Sequence, residues 1–446
     1  MRKILLGFTL ILTITIVQAQ TIRERIEKNP ALAYCNGHVY PVEEIKPQTL
    51  SPKGYKPFYI SHYARHGSRC FIEGIKIKHL IERFERVDSL GLLTPLGKKV
   101  LEETRHLYEI QSGSFAMLTD VGRKQHQGIA KRMYENYPEI FSEGCSIDSK
   151  SSKTKRSVES MEAFNAKLLE LVPSMHQSMT HAAEVQLICK PQSSKNHLLP
   201  KEFFSKRDDY YSSKASNGWT REQKDFYHAA NMSGAMSRLF TDVKKAIKAT
   251  KTTAFHLSER ILTIVIFSAN LGYDNSELIK EVFSTDELLS IYSNYSFKWF
   301  SRNACTDDEV CRKYISLQRI LINDIIDNTQ SAIDKKNGCC GNFRFGHDNQ
   351  LVVLASALGL EGCAMERIPL KEAVQKYIAS DIIPMAGNIQ MVCYRKGKKV
   401  LVKFLLNENE KMIPQLKSST APYYKWEDVK KYLLQRMKDF AEDRTK

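Results

Sequence analysis

Strand-like segments occur near both ends of this chain, and a long stretch with helical patterning separates them. The aromatic and β-branched run at residues 57–64 predicts an early strand, and residues 145–150 predict a second, shorter one. A third short strand is predicted at residues 343–346, and two apolar runs on either side of residues 396–397 indicate a hairpin. Strands that flank a helical middle indicate an α/β domain interrupted by a largely helical insertion.

We therefore predict an α/β fold with a mixed, mainly parallel sheet flanked by helices, and a second, largely helical inserted domain. The α/β domain is expected to comprise residues 20–166 and 339–446, and the helical insertion residues 167–338. Apolar residues that recur at helical spacing predict several helices in the α/β domain. These helices are expected at residues 93–111, 118–137 (with Thr119 or Asp120 as N-cap), 156–172 and 348–360.

The N-terminus has the layout of a secretory signal peptide. Arg2 and Lys3 precede an uninterrupted apolar run at residues 4–17, and the small residue Ala19 precedes the expected cleavage site. The run is shorter than the roughly 20 apolar residues that a transmembrane helix needs, and no cysteine at the cleavage site indicates a lipid anchor. We therefore expect residues 1–19 to be removed, and the protein to be periplasmic or secreted without a stable membrane anchor.

The charge of the chain limits the kinds of partner that it can bind. The 446 residues carry a formal net charge of +16, while 42% are hydrophobic and 26% charged, as in an ordinary globular protein. Such an excess of positive charge favours an anionic partner, which could be nucleic acid, a membrane surface or a phosphorylated small molecule. The sequence contains no basic motif interleaved with aromatic residues, so we expect a small anionic phosphorylated substrate rather than nucleic acid. The oligomeric state stays open.

Ten cysteines are many for a cytosolic enzyme but are compatible with an oxidising compartment. Their spacing includes no CxxC pair and suggests no metal site, so a few disulfides together with buried thiols are expected. Cys305 and Cys311 are close enough in sequence to close a small loop, whereas the adjacent Cys339 and Cys340 are expected to have different roles.

The predicted first strand leads directly into a cluster of cationic residues, Arg65-His66-Gly67-Ser68-Arg69. Guanidinium groups match phosphate oxygens with paired hydrogen bonds, and Gly67 lets the backbone turn tightly or approach a ligand closely. The neutral imidazole of His66 could attack phosphorus and form a phosphoramidate that water then hydrolyses. A solvated basic loop is the alternative explanation of the same residues.

Two later segments supply groups of the same chemistry. Arg156 stands at the start of a predicted helix, where free N–H groups and the helix dipole favour an anion. His347 and Asp348 lie where a strand passes into a helix, so His347 could donate to phosphate and Asp348 could protonate a departing alkoxide. Taken alone, Arg156 could be a surface charge and Asp348 a helix cap. All three segments lie at junctions before helices, where an open α/β sheet gathers its ligands.

Together these motifs resemble the histidine phosphatase superfamily, in its acid phosphatase and phytase branch. The resemblance rests on the RHGSR segment, the LTDVGRKQH helix start, Arg156 with Ser160 four residues later, and His347-Asp348, and it extends from about residue 55 to residue 406. It is weakest in the helical middle. The segment from Gly387 to the end of the predicted hairpin is similar to secreted bacterial multiple inositol polyphosphate phosphatases.

The resemblance implies a role for each matching residue. His66 would be the nucleophile and Asp348 the proton donor, while Arg65, Arg69, Arg156 and His347 would bind the substrate phosphate. Because the arginines would supply the charge stabilisation, no metal and no cofactor is expected. His62 is expected to be structural or to support the residues that contact the substrate, and His126 to be a packing or surface residue.

The late motif departs from one subfamily. Multiple inositol polyphosphate phosphatases typically carry His-Ala-Glu there, whereas this chain has His347-Asp348, as other acid phosphatases and phytases do. We expect a secreted phosphomonoester hydrolase that acts on inositol polyphosphates such as phytate through a phosphohistidine intermediate. The alternatives are a general acid phosphatase for sugar phosphates and a phosphate or polyanion binder without catalysis.

Overall fold

A computed structural model gives the architecture of the protein and describes residues 21–196, 198–211, 230–336 and 338–442. The predicted signal segment, residues 1–19, lies outside the described residues. Within the described ranges, no helix is long and apolar enough to cross a membrane.

A single mixed sheet organises the chain. Its described strands are β1 (Lys56–Arg65), β2 (Ser146–Ser151), β3 (His176–Thr180), β4 (Cys339–Gly346), β5 (Asn388–Lys396), β6 (Lys399–Leu406), β7 (Asn409–Lys411) and β8 (Tyr424–Lys425). Their order in the sheet is β3-β2-β4-β1-β5-β6-β7, and β8 is paired to β6. The neighbours β3, β2, β4 and β1 run parallel, whereas β5 is antiparallel to β1 and forms a hairpin with β6.

Helices flank this sheet and fill most of the chain between β3 and β4. The helices near the N-terminus and before β3 are α1 (Ile22–Lys28), α2 (Gly74–Asp88), α3 (Pro95–Gln111), α4 (Asp120–Asn136) and α5 (Lys155–Leu171). Those between β3 and β4 are α6 (Gln186–Cys189), α7 (Lys201–Tyr210), α8 (Ser233–Leu239), α9 (Val243–Thr250), α10 (Ala254–Val265), α11 (Phe267–Leu271), α12 (Ser276–Val282), α13 (Thr285–Asn303), α14 (Glu309–Ser316) and α15 (Arg319–Ile333). The last are α16 (Asp348–Leu358), α17 (Leu370–Lys376), α18 (Ala379–Ile382) and α19 (Trp426–Ala441). Short 3₁₀ turns occur at Pro30–Tyr34, Val42–Glu44 and Ser194–Asn196.

The predicted fold class is confirmed: parallel central strands lie in a mixed sheet between many helices. Thr119 is the N-cap of α4, where its side chain accepts a hydrogen bond from the amide of Gly122. Strand β3 was not predicted, because its sequence HQSMT lacks the apolar alternation of a half-buried strand and much of it is exposed at the sheet edge. The division into a domain of residues 20–166 and 339–446 and an insertion of residues 167–338 stays a prediction, although β3 pairs with the main sheet.

The apolar core has two parts, one on each face of the sheet. Alternate residues of β1 point to opposite faces, so Tyr59 and Tyr63 join one cluster while Ile60 and Ala64 join the other. One cluster continues through helix α16 and the helices between β3 and β4, and the other through α4 and α5. The strands are therefore held from both sides, which fixes the positions of the loops at their ends.

All ten cysteines lie within the described residues, and none of them forms a disulfide. The few disulfides that we expected, including the small loop that Cys305 and Cys311 are close enough in sequence to close, are therefore not present in the structure. The Cys305 thiol instead donates to the Asp307 carboxylate, with the sulfur 3.2 Å from Oδ1. Nine of the ten cysteines are buried, which agrees with the expectation of buried thiols.

Candidate active site

The sheet brings the three predicted cationic segments to one edge. Strand β4 lies between β1 and β2, and it runs parallel to both. In these ladders Arg65 is opposite Gly346, and Ser151 is opposite Phe345. The three strands therefore end at the same edge of the sheet. The loop after Arg65, the start of α5 and the start of α16 therefore meet at the edge where α/β proteins bind ligands.

Helix α4 holds the loop that carries His66. The backbones of Gly67 and Gly122 approach so closely that a Cβ added to Gly67 would lie 2.5 Å from the Gly122 carbonyl oxygen. The hydroxyl and the amide of Thr119 both donate to the Ser68 carbonyl, at 3.1 and 3.0 Å. Gln125 accepts from the Ser68 amide at 2.8 Å and donates to its hydroxyl at 2.9 Å. The LTDVGRKQH segment is thus a support for the RHGSR loop.

His66 is held as a neutral ring with one nitrogen available for chemistry. Its Nδ1 lies 2.9 Å from the Gly67 carbonyl oxygen, and because a carbonyl only accepts, Nδ1 must carry the hydrogen. In the neutral ring the lone pair then lies on Nε2. Burial, followed by the charges of Arg65 and Arg156, lowers the pKa of His66 well below its usual value. A neutral imidazole with a free Nε2 is the form that can act as a nucleophile.

Three arginines surround this ring. Arg65 is fully buried and donates through Nη1 to the carbonyls of Asn36 and Ile383, both at 2.8 Å. The Nε atoms of Arg65, Arg69 and Arg156 are buried and have no hydrogen-bond acceptor among the described residues. Burial, then Arg65 and Arg156, lower the pKa of Arg69 to about 9. Crowded guanidinium groups with unused donors form a site that favours an oxyanion.

His347 lies beside His66 at the N-terminus of α16. The two ring centroids are 5.6 Å apart, and the Nε2 of His347 is 3.1 Å from the Ser152 hydroxyl and 3.3 Å from that of Thr154. Burial, then the charges of Arg156 and Lys190, lower the pKa of His347 to about 3. His347 is therefore neutral at physiological pH and can offer one N–H to an anion.

Asp348 is the carboxylate that faces this cationic group. Its Oδ2 accepts from the side-chain amide of Asn36 at 2.8 Å and lies 3.2 Å from the Nη2 of Arg65, while Oδ1 accepts from the backbone of Asn349 at 2.8 Å. Burial alone would raise the pKa of Asp348, but Arg65 and the hydrogen bond from Asn36 outweigh it, so the pKa is lowered. Among these protein groups Asp348 is thus an ionised carboxylate.

The structure brings together every residue that the sequence singled out for the site: Arg65, His66, Arg69, Arg156, His347 and Asp348. His62 and His126 lie outside this group in the aromatic core. The ring of His62 stacks on Phe164 at 5.3 Å, and that of His126 meets the edge of Phe345 at 5.6 Å. Both are buried, so the expected structural role of His62 and packing role of His126 fit their surroundings.

Sequence reasoning missed several residues that touch the site. Asn36 belongs to an irregular N-terminal segment and reaches Asp348 across 312 positions of sequence. Ser152 and Thr154 contact His347, and their place after a strand and before the helix of Arg156 was the available signal. Lys190 follows α6, and burial and Arg156 lower its pKa, which places its charge near the phosphate-binding group. Among the described residues, no group of three or more His, Cys, Asp or Glu side chains is arranged to hold a metal ion.

Comparisons with solved structures agree on the fold. A Bifidobacterium longum multiple inositol polyphosphate phosphatase in complex with inositol hexasulfate superposes with a TM-score of 0.71 at 17% identity, covering 90% of this chain and 97% of that one. A D. castellii phytase gives a TM-score of 0.70 at 14% identity, covering 92% and 86%. A Hafnia alvei phytase in complex with myo-inositol hexakis sulphate gives 0.56 at 11% identity, covering 88% and 100%. At these identities the likeness concerns the fold.

Sequence comparison identifies the family. No curated protein matches the chain by sequence, but the family model of the histidine phosphatase superfamily (branch 2) matches residues 63–407. This range covers most of the chain and includes His66, Arg156 and His347. The chain therefore belongs to branch 2 of the histidine phosphatase superfamily and is a phosphatase.

Proposed function

We propose that this phosphatase hydrolyses inositol polyphosphates, such as phytate, through a phosphohistidine formed on His66. The observation that carries the mechanism is the set of unused guanidinium donors of Arg65, Arg69 and Arg156 around a neutral histidine. A phosphoryl group bound by these arginines and by His347 would lie against the lone pair of His66. The positive charges would stabilise the charge that develops on phosphorus oxygens in the transition state.

The first chemical step transfers the phosphoryl group. The Nε2 lone pair of His66 attacks phosphorus, and the bond between phosphorus and the ester oxygen breaks. Asp348 gives its proton to the departing alkoxide, so the alcohol leaves neutral. In the second step water attacks phosphorus and the phosphorus–nitrogen bond breaks, with its electron pair returning to the Nε2 of His66. Asp348 accepts a proton from that water, and inorganic phosphate leaves. The free histidine is then restored.

Asp348 must be protonated in the substrate complex, although the surrounding protein groups lower its pKa. A bound phosphate dianion would raise the pKa of Asp348, since a negative charge nearby disfavours the ionised carboxylate. The dianion also competes for Arg65, whose Nη2 otherwise lies 3.2 Å from the carboxylate. Activity on alkyl phosphates should therefore peak on the acid side of neutrality and fall as Asp348 ionises.

A multiply phosphorylated substrate agrees with the charge around the site. Lys190 lies near Arg156 and His347, and Lys195 contributes to the lowered pKa of Lys190. The whole chain carries a net charge of +16. These cations lie beside the group that would hold the reacting phosphate, so they favour a substrate with further phosphates. We also propose that the protein acts in the periplasm or after secretion, on the basis of the N-terminal sequence.

The test compares phosphate release from phytate and from glucose phosphates, with the inositol products identified. A kcat/KM on phytate well above that on glucose phosphates supports the proposal, whereas equal values would favour a general acid phosphatase. Binding of phosphate without turnover of any phosphomonoester would favour a phosphate binder. Vanadate should inhibit and a metal chelator should not, so strong inhibition by the chelator would contradict the arginine-based mechanism.

A further inference from the structure

Two cysteines from distant parts of the sequence meet at the end of the sheet opposite the active site. Cys145 immediately precedes β2, and Cys340 is the second residue of β4. Their sulfur atoms are 2.7 Å apart, although 195 positions separate them in sequence. Both side chains are buried, with relative exposures of 8% and 6%. This proximity is therefore a product of the sheet and not of local sequence.

The contact depends on an irregularity in the ladder between β2 and β4. Ser146 is opposite Cys339, but the next residue, Ile147, is opposite Gly341, so β4 has one extra residue at Cys340. A bulge of this kind redirects a side chain that regular pairing would place elsewhere. The neighbouring Cys339 thiol donates instead to the Gly341 carbonyl oxygen, at 3.1 Å. The geometry thus selects Cys340 rather than Cys339 as the partner of Cys145.

We propose that Cys145 and Cys340 form a disulfide when the protein reacts with an oxidant that is itself a small-molecule disulfide. Two S–H bonds are replaced by one S–S bond, and the two protons and two electrons go to the oxidant, whose own disulfide is reduced to two thiols. The sulfurs must approach from 2.7 Å to about 2.05 Å. That change is small enough for side-chain rotation without a rearrangement of the strands.

The surroundings allow the exchange to start at Cys145. The Cys340 thiol donates to the Cys145 sulfur, and this hydrogen bond lowers the pKa of Cys145. The thiolate is the form that attacks a disulfide. An open cavity of about 560 Å³, lined by these two cysteines together with Glu143, Lys335 and Arg395, leads to the pair from outside. A small oxidant can therefore reach Cys145, and Cys340 can resolve the mixed disulfide.

The cross-link would stabilise the part of the sheet that supports the active site. Strand β2 leads toward Arg156, and β4 ends directly before His347. A disulfide between the other ends of these strands would close a loop that contains every helix from α5 to α15. Closing so long a loop restricts the unfolded chain strongly. We expect a higher Tm after oxidation, with kcat nearly unchanged because the site is at the opposite end of the strands.

The experiment uses the full chain, reduced and then treated with oxidised glutathione. Remaining thiols are alkylated during unfolding, and non-reducing peptide mapping by mass spectrometry identifies the linked peptides. We expect a Cys145–Cys340 peptide, two fewer alkylated thiols than in the reduced protein, and a Tm several degrees higher. Cys340→Ser should abolish both the linked peptide and the Tm shift, whereas Cys393→Ser, a buried cysteine in β5, should retain both.

Peptide mapping of the wild-type protein decides the matter even if Cys340→Ser does not fold. Alkylation of both Cys145 and Cys340 after oxidation would overturn the proposal, as would a disulfide that joins either residue to a different cysteine. A linked peptide without any change in Tm would overturn the stabilising role. None of these readouts depends on the substrate, so they separate this inference from the proposed function.

Discussion

The hydrogen bond from Asn36 to Asp348 makes a prediction about the pH dependence of catalysis. In Asn36→Ala the donor 2.8 Å from the Oδ2 of Asp348 is removed, while the backbone carbonyl of Asn36 still accepts from Arg65. The carboxylate loses stabilisation and its pKa rises. Because Asp348 must be protonated to act as an acid, the proton then persists to higher pH, and the falling limb of kcat moves in the alkaline direction.

The size of the shift follows from the strength of the bond. A hydrogen bond to a charged group contributes about 1.5–3 kcal/mol, and one pKa unit corresponds to about 1.4 kcal/mol. The Asp348 side chain is 20% exposed, so water can replace part of the lost interaction. We therefore expect the limb to move by about 1 pH unit, at the lower end of that range.

The assay measures kcat against pH with a glucose phosphate and with p-nitrophenyl phosphate. The alkyl ester needs a proton on its leaving group, whereas p-nitrophenolate leaves without one, so only the first profile should shift. Asn349→Ala is the matched control, because the contact of Asn349 with Asp348 is made by its backbone N–H. An unmoved limb in Asn36→Ala, or equal shifts with both substrates, would refute the assignment of Asp348 as the general acid.

Three further perturbations test other parts of the site. Arg156→Ala should lower kcat/KM by about 10²–10³, lysine should restore little because it lacks the planar fork, and alanine at Arg123, which pairs with a carboxylate on α5, should leave the rate within about twofold. Gly67→Ala should cost on the order of 100-fold in kcat, since its Cβ would displace backbone that positions the nucleophile; Gly128→Ala, which meets only a flexible side chain on the same helix, is the control. Burial lowers the pKa of His126 to about 3, so between pH 6.5 and 3 the unfolded state binds more protons and the free energy of unfolding falls as the pH is lowered. His126→Leu should reduce that slope, measured by urea unfolding, by up to about 1.4 kcal/mol per pH unit, and an unchanged slope would contradict it.

The parts of the site that follow from local sequence could be predicted. The strand before Arg65, the helix start at Arg156 and the junction at His347 each have their own pattern of apolar and capping residues. Parallel strands whose carboxyl ends meet at one sheet edge then bring the three segments together. The structure places these segments as the local sequence predicts, because the local preference of each segment is consistent with the overall fold.

The contacts that were missed depend on pairing between distant segments. The interaction of Asn36 with Asp348 joins an irregular N-terminal loop to a helix 312 positions away, and nothing in either local sequence indicates it. The bulge that turns Cys340 toward Cys145 exists only in the register of β4 against β2. Strand β3 is polar and lies at a sheet edge, so it carries little hydrophobic pattern. In each case the tertiary arrangement determines the contact.

The central claim is that His66 carries the phosphoryl group during turnover, and trapping of that intermediate tests it most directly. The enzyme is mixed rapidly with labelled p-nitrophenyl phosphate and quenched in alkaline detergent, because a phosphoramidate is lost in acid. We expect labelled protein within the first turnover, with the phosphate mapped by mass spectrometry to the Nε2 of His66, and no label in His66→Ala. Label on another residue, or normal turnover by His66→Ala, would contradict the account.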